Sequence, residues 1–326
     1  MSLLDTDATI VAVPTGSVRV PTVSICVPTY RNAATIARCL DSALAQAGVD
    51  FEILVVDDAS SDGTTDVVKE LLRPGDRLVV NDSRLGLVGN HNRCLELARG
   101  TYVQFVHGDD WLLPGALDRL VGVLQDADAG MAFAPRRIDT EDDGWVQRYG
   151  QLHTHFRDLA ACNDGRRLAM QIALRGTHHN WVGEPTCVMF RRDLALDAGP
   201  FRDDIYQLLD LDYWLRLMVR TTVCFVPAEL SVRSHTAATE TIRNKALSKD
   251  WLDQLRVITW MVVDPAAPTR IRIVNALWWV LIWPRLVVEG AVLGPQRWAR
   301  FKEALSAPFR EFGRAKRLLD KTRVGA

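Results

Sequence analysis

Short β-rich runs alternate with segments of helical period along the first 134 residues, and each run ends in a polar corner. Val23-Ser24-Ile25-Cys26-Val27 stops at Pro28, and residues 33–46 then place Ile36, Leu40 and Leu44 at helical spacing. Residues 51–56 read as a second strand. Ser61 or Asp62 caps the following helix, which carries Val67, Val68, Leu71 and Leu72 and stops before Pro74-Gly75. Residues 78–80, 102–106 and 131–134 are further strands. Helices are expected over residues 87–99, closed by Gly100, and from Pro114 to about Gln125. Strands separated by helices of this length join through right-handed crossovers, which predicts an α/β fold with a mainly parallel sheet. Farther on, residues 186–190 and 223–226 read as strands and residues 210–218 as a helix with Leu211, Leu215 and Met218 on one face. Residues 139–181 are polar and irregular, and are expected to supply loops and a helix over the active edge.

Two of the corners are acidic. Asp57-Asp58 follows the second strand within Val56-Asp57-Asp58-Ala59-Ser60-Ser61-Asp62-Gly63-Thr64, and Asp109-Asp110 follows the fourth within Phe105-Val106-His107-Gly108-Asp109-Asp110-Trp111. Helix capping alone would account for Ser60, Ser61 and Asp62. Two acidic corners on one sheet, with Pro28-Thr29-Tyr30 at a third, imply more. The carboxyl ends of parallel strands are where open α/β sheets bind ligands. Carboxylates gathered there suit a hard divalent cation, Mn²⁺ or Mg²⁺, which in turn favours phosphate groups.

The bulk numbers narrow the class. The chain has 326 residues, of which 48% are hydrophobic and 24% charged, and a formal net charge of -1. It is long enough for one large domain with an appendage, and no global basic field argues for nucleic acid. Six scattered cysteines form no CxxC or zinc spacing and read as reduced thiols of a cytosolic protein. Residues 1–20, with Asp5 and Asp7, read as a flexible tail and not as a signal peptide. The first strand–helix corner lacks G-x-G-x-x-G, which excludes a nicotinamide dehydrogenase.

The corners, taken in order with Gly86-Leu87-Val88-Gly89-Asn90-His91-Asn92 and Gly100-Thr101-Tyr102, resemble the family-2 glycosyltransferases of GT-A, Rossmann-like fold. Asp210-Leu211-Asp212-Tyr213-Trp214 resembles that family's acidic helix motif, and Arg233-Ser234-His235 its late Arg-x-His element. The resemblance implies an inverting transfer of sugar from a nucleoside-diphosphate sugar, with a UDP-sugar as first expectation, to a glycan or lipid-linked acceptor. It implies that Pro28, Tyr30 and Asp58 surround the base and ribose, with Arg84 and Asn92 touching the nucleotide. Asp109 would be the principal metal ligand and Asp110 its neighbour, while His235 would approach the metal or diphosphate. Asp210 would be the general base, with Asp212 its competitor, because the two point differently from one helix. Glu184 would lie near the acceptor, and Trp181 would stack on a sugar. The chain departs from the family pattern twice: His107 stands where the first acid of Asp-x-Asp is usual, and Leu209 where a glutamate precedes the base. A nucleotidyltransferase of similar fold would want glycines and basic residues near the first strand, where only Arg31 stands. A scaffold protein with a decayed site is the reading that His107 and Leu209 favour.

This domain is expected over residues 21–236. Residues 237–326 change character: strands disappear, tryptophans rise and three helical stretches follow. Residues 273–293 are apolar but carry Pro284, Arg285 and Glu289, which makes a poor spanning helix. Trp278, Trp279, Trp283 and Trp298 with a basic C-terminal stretch predict an interfacial element on an anionic membrane surface, on the cytoplasmic side. The alternative is a helical appendage packing on the main domain or on a second copy in a homo-oligomer.

Overall fold

The computed structural model describes residues 9–12, 20–235, 249–292 and 297–324. In chain order its elements begin with β1 (Thr9–Ala12), β2 (Val23–Thr29), α1 (Ile36–Leu44), β3 (Phe51–Asp57), α2 (Thr64–Leu71), β4 (Arg77–Val80), α3 (Gly86–Leu97) and β5 (Tyr102–Phe105). There follow β6 (Trp111–Leu112), α4 (Ala116–Asp126), β7 (Met131–Phe133), β8 (Arg136–Asp139), α5 (Asp143–Tyr149), β9 (Cys162–Asp164) and α6 (Gly165–Leu174). Then come β10 (Val188–Arg191), α7 (Arg192–Ala198), α8 (Leu209–Met218), β11 (Thr222–Phe225) and β12 (Ser231–Ser234). Three last helices, α9 (Asp253–Val263), α10 (Thr269–Val292) and α11 (Arg297–Val324), complete the fold.

The main sheet runs β1-β4-β3-β2-β5-β10-β7-β11-β9. Strands β2, β3, β4 and β5 pair in parallel, β7 pairs in parallel with β11, and the intervening β10 is antiparallel to both β5 and β7. Six strands therefore share one direction, and the sheet is mainly parallel. The N-terminal segment departs from the expected tail, since residues 9–12 add an antiparallel edge strand to β4.

Side-chain alternation places the two layers. Val23, Ile25, Val27, Ile53 and Val55 face one core with α1 and α4, while Cys26, Leu54 and Val56 face the other with α3, α6 and α8. Helix α1 buries Ile36, Cys39, Leu40 and Ala43, the i, i+3, i+4, i+7 stripe of an amphipathic helix. A small second sheet, β6-β12-β8, lies across the active edge.

The C-terminal helices share the main core. Val257, Trp260, Met261, Ile271, Ala315 and Leu319 belong to the same cluster as α8. Three of the four tryptophans expected at a lipid surface pack inward instead. Trp278, Trp279 and Trp283 lie against Leu255, Ile258 and Leu286, with Trp279 Nε1 donating to Thr259 Oγ1 (3.0 Å) and Trp283 Nε1 to the Ala304 carbonyl (2.9 Å). Trp298 alone of the four is exposed. Gly290 permits the close crossing of α10 and α11, because a Cβ there would lie 3.1 Å from the backbone of Arg300 and Phe301. Helix α10 buries Ile271, Asn275, Ile282, Leu286 and Gly290 and leaves Ile273, Leu277, Val280, Leu281, Val288 and Val292 exposed along its other side.

Candidate active site

Order reverses in the sheet at β2: β3 lies on one side and β5 on the other, with a crossover in sequence. At such a switch point the strand ends splay and leave a crevice. A cavity of about 440 Å³ opens there, lined from the β2 corner by Pro28, Thr29, Tyr30 and Asn32, from β3 by Asp58, and from the β5 corner by His107, Gly108, Asp109 and Asp110. Asp210 at the start of α8, with Glu184, Arg233 and Ser234, closes the far side. Asp58, Asp109 and Asp210, from three separate corners, thus line one cavity.

The loops are tightly built. Arg31 and Ala59 take left-handed backbone (φ 55° and 58°) in the corners after β2 and β3, the kind of local strain that collects at functional sites. A Cβ on Gly108 would meet the Asn32 side chain at 2.8 Å, so only glycine lets the two corners touch.

At the β3 corner Asp58 is buried and accepts from Leu85 N (2.7 Å), Gly86 N (2.9 Å) and Asn81 Nδ2 (3.1 Å). Its carboxylate shapes the loop ahead of α3. That loop delivers Arg84, whose guanidinium sits 4.1 Å from the Tyr30 ring centroid. The pair forms a flat cationic-aromatic wall at the cavity mouth.

The β5 corner is a chain of hydrogen bonds. His91 Nδ1 lies 2.8 Å from the Leu87 carbonyl, which can only accept, so Nδ1 carries the hydrogen. His91 Nε2 is then an acceptor, and His107 Nε2 donates to it at 3.1 Å. His107 Nδ1 faces the Asp110 carboxylate at 3.3 Å. Both nitrogens of His107 are therefore set as donors, an arrangement that favours the imidazolium. Burial opposes that charge, but Asp110, Asp109 and Asp210 raise the pKa above its ordinary value. Burial and the His107 charge push His91 down to about 3. With both ring nitrogens engaged, His107 has no free lone pair to offer a metal.

Asp110 is anchored, accepting also from Thr186 Oγ1 (2.6 Å) and Ser234 N (3.0 Å). Asp109 differs: no donor from another described residue meets its carboxylate. Burial and Asp110 raise its pKa, while His107 and Arg233 act against the rise. A cation would relieve that repulsion. Among the described residues no group of three or more His, Cys, Asp or Glu could hold a metal unaided. One carboxylate nevertheless fits a Mg²⁺ or Mn²⁺ that takes its remaining ligands from phosphate and water.

Asp210 and Asp212 part company. Asp210 lines the cavity, and burial raises its carboxyl to about 6, with His107 and Arg233 lowering it and Glu184 raising it. Asp212 points into the core, bound to Arg202 (3.2 Å) and Arg216 (3.0 Å), and is 1% exposed. It is a structural ion pair and not the competing base.

Other expectations move as well. Asn92 faces away from the cavity and exchanges hydrogen bonds with the Phe201 backbone (2.9 and 2.8 Å). Its place is taken by Asn90, which donates to the Val56 carbonyl (2.9 Å). Trp181 is buried against Phe156, with the exposed His155 ring at 5.7 Å, and is not among the residues that line the cavity. Glu184 lines the cavity but is bound to Arg136 (2.6 Å) and to Arg233. Burial would raise its pKa, yet the two guanidiniums hold it down to about 2. His235 lies outside the cavity lining, stacked on Trp145 with centroids 4.1 Å apart. Arg233 is the residue of its motif that enters the site. The sequence reading passed over His91, Asn90, Tyr206 and Gln207. A helical signal was present for two of them, because Leu87, Asn90 and His91 stand at i, i+3, i+4 on one face, which excludes Asn92.

The sequence model described as "Glycosyl transferase family 2" matches residues 24–197, just over half of the chain. The chain belongs to glycosyl transferase family 2. An uncharacterized protein of Mycobacterium tuberculosis is 58% identical over 89% of this chain and 91% of its own length. The succinoglycan biosynthesis protein ExoO of Rhizobium meliloti is 39% identical over 34% of this chain and 31% of its own length. Among solved structures, S. aureus TarS (residues 1–349) in complex with UDP-GlcNAc superposes with a TM-score of 0.66 at 16% identity, covering 93% of this chain and 87% of that one. This last likeness establishes the fold, which is GT-A. The family-2 match stops at the end of α7, so Asp210, Arg233 and the C-terminal helices of this glycosyltransferase lie beyond it.

Proposed function

We propose that this glycosyltransferase moves a sugar, with inversion, from a nucleoside-diphosphate donor to a hydroxyl of a glycan or lipid-linked acceptor, in bacterial polysaccharide or envelope synthesis. The observation that carries the reading is the meeting of Asp58, Asp109 and Asp210 in one cavity. The nucleotide lies toward Pro28, Tyr30, Asp58 and Arg84, its base against the Tyr30–Arg84 wall. His107 and Arg233 direct positive charge at the diphosphate. Asp109 is the protein ligand for a divalent cation, Mn²⁺ or Mg²⁺, which when bound neutralises departing phosphate charge as a Lewis acid. Asp210 takes the proton of the acceptor hydroxyl. A carboxyl titrating at about 6 is ionised at neutral pH and is still basic enough to accept that proton. A single base opposite the leaving group gives one in-line displacement. The UDP-GlcNAc in TarS and the succinoglycan role in the name of ExoO support this donor class and setting.

In this reading the acceptor is met at a membrane. The exposed side of α10 is apolar from Ile273 to Val292 except for Arg285, and the exposed residues of α10 and α11 also include Arg270, Arg272, Arg297, Lys302, Lys316 and Arg317 against Asp320. Such a surface suits anionic lipid on the cytoplasmic face. The test of function is a thermal-shift and product panel of UDP-, GDP-, dTDP- and CDP-sugars, with and without Mn²⁺. One donor raising the melting temperature only with Mn²⁺, and a product of inverted anomeric configuration by NMR, are expected. Retained configuration would overturn the single displacement.

A further inference from the structure

The loop ahead of α8 hangs from a residue that lies far outside the family-2 match. Asp253 opens α9, is 1% exposed, and points one oxygen at three consecutive amides: Tyr206 N (2.9 Å), Gln207 N (2.6 Å) and Leu208 N (3.2 Å). Successive N–H groups around one anion form a nest, and a carboxylate is its natural occupant. The loop so held is part of the cavity, because Tyr206 and Gln207 line it, and Leu208 caps the helix whose second residue is Asp210. The other Asp253 oxygen is buried without a hydrogen-bond partner among the described residues, so the hydrogen bonding given for this carboxylate goes to those three amides. Burial raises its pKa to about 6 against the pull of the amides and Arg256. A second tie joins the same elements: Arg202, bound to Asp212 on α8, also donates to the Arg256 carbonyl on α9 (3.3 Å).

We propose that Asp253 is a positioning residue for sugar transfer: it fixes the 206–208 loop and thereby sets where Asp210 meets the acceptor hydroxyl. The inference rests on Asp210 as the base. It makes the first C-terminal helix part of the catalytic apparatus. Displacement of a reacting group by about 1 Å can lower turnover on the order of 10²-fold without altering how the donor binds.

Full-length Asp253→Asn and Asp253→Ala test this against Asp76→Asn. Asp76 is a matched control, a buried carboxylate accepting from Ile53 N (2.8 Å) and Arg73 N (3.1 Å) near the opposite end of β3. Three readouts are taken: amide exchange of peptides spanning residues 203–212, affinity for UDP and GDP with Mn²⁺, and turnover of UDP-N-acetylglucosamine and GDP-mannose. In Asp253→Asn the loop amides are expected to exchange about 10-fold faster, nucleotide affinity to stay within about 2-fold, and turnover to fall about 10²-fold. Asp253→Ala should fall further, and Asp76→Asn should leave loop exchange and turnover at wild-type values. Unchanged loop exchange in both Asp253 variants, or an equal loss of turnover in Asp76→Asn, overturns the proposal. Full turnover in Asp210→Asn would remove the base assignment, while the exchange measurement would still decide whether Asp253 holds the loop.

Discussion

At the scale of single residues the site separates acids by what surrounds them. All four acids line the cavity, but Asp58 and Asp110 are fastened there by main-chain and hydroxyl donors, whereas no donor from another described residue meets the Asp109 carboxylate. Asp109→Asn is therefore expected to abolish the Mn²⁺-dependent gain in nucleotide affinity, measured by calorimetry with and without the metal. Asp210→Asn should leave that affinity intact and reduce turnover by roughly 10²–10⁴-fold. Because burial lifts Asp210 to about 6, turnover should rise with pH through that value, and the limb should vanish in the asparagine variant. The same lift has a stability sign. A carboxyl raised in the folded state binds its proton more tightly there, so native stability falls as pH climbs from the unfolded value of about 3.9 through 6. Asp210→Asn should thus stabilise the protein near neutrality by about 2 kcal/mol in denaturant melts, and the gain should disappear near pH 4. The acidic corners were legible because they follow strands. Asn92 was misread because only helix phase separates it from Asn90, and the hydrogen-bonded pairing of His107 with His91, sixteen residues away, had no sequence signal.

At the scale of elements, the helix carrying Asp210 is held by charges on its other face. Asp212 joins Arg202 and Arg216 where all three are nearly inaccessible. Removing one member of a buried network leaves its partners unpaired, at a typical cost of about 3–5 kcal/mol. Asp212→Ala should therefore lower the urea midpoint sharply, in contrast to Asp210→Asn. The sequence displayed the strands and helices from β2 to β7 because their apolar periods are set by burial against one sheet. It did not display β1, β6, β8, β9 or β12. Trp111-Leu112 is too short to show a period, and Arg136-Arg137-Ile138-Asp139 owes its extended form to pairing with residues 231–234 across the molecule. The three C-terminal helices were foreseen, but not the side on which their tryptophans would lie, since indole suits a core and an interface alike.

At the scale of the whole molecule, one side of α10 leaves Ile273, Leu277, Val280, Leu281, Val288 and Val292 exposed. Leu277→Glu with Leu281→Glu should abolish co-sedimentation with phosphatidylglycerol vesicles while leaving the melting temperature nearly unchanged, because both side chains are more than 60% exposed. High salt should weaken wild-type binding through the surrounding arginines and lysines. Removing residues 294–326 would be a poor substitute, since Ala315 and Leu319 lie in the main core and Glu311 faces Arg256 at 3.5 Å. That sharing of one core has a consequence for how the chain is made. A nascent protein is threaded out from its N-terminus at about 5–20 residues per second. The N-terminal half can collapse early, but the core cluster that holds the helix bearing Asp210 also includes residues as distant as Leu319, a delay of roughly 5–20 s at that speed. The strands up to β5 can therefore pair before the core behind Asp210 is filled, because the C-terminal helices that share that core are made after every strand described.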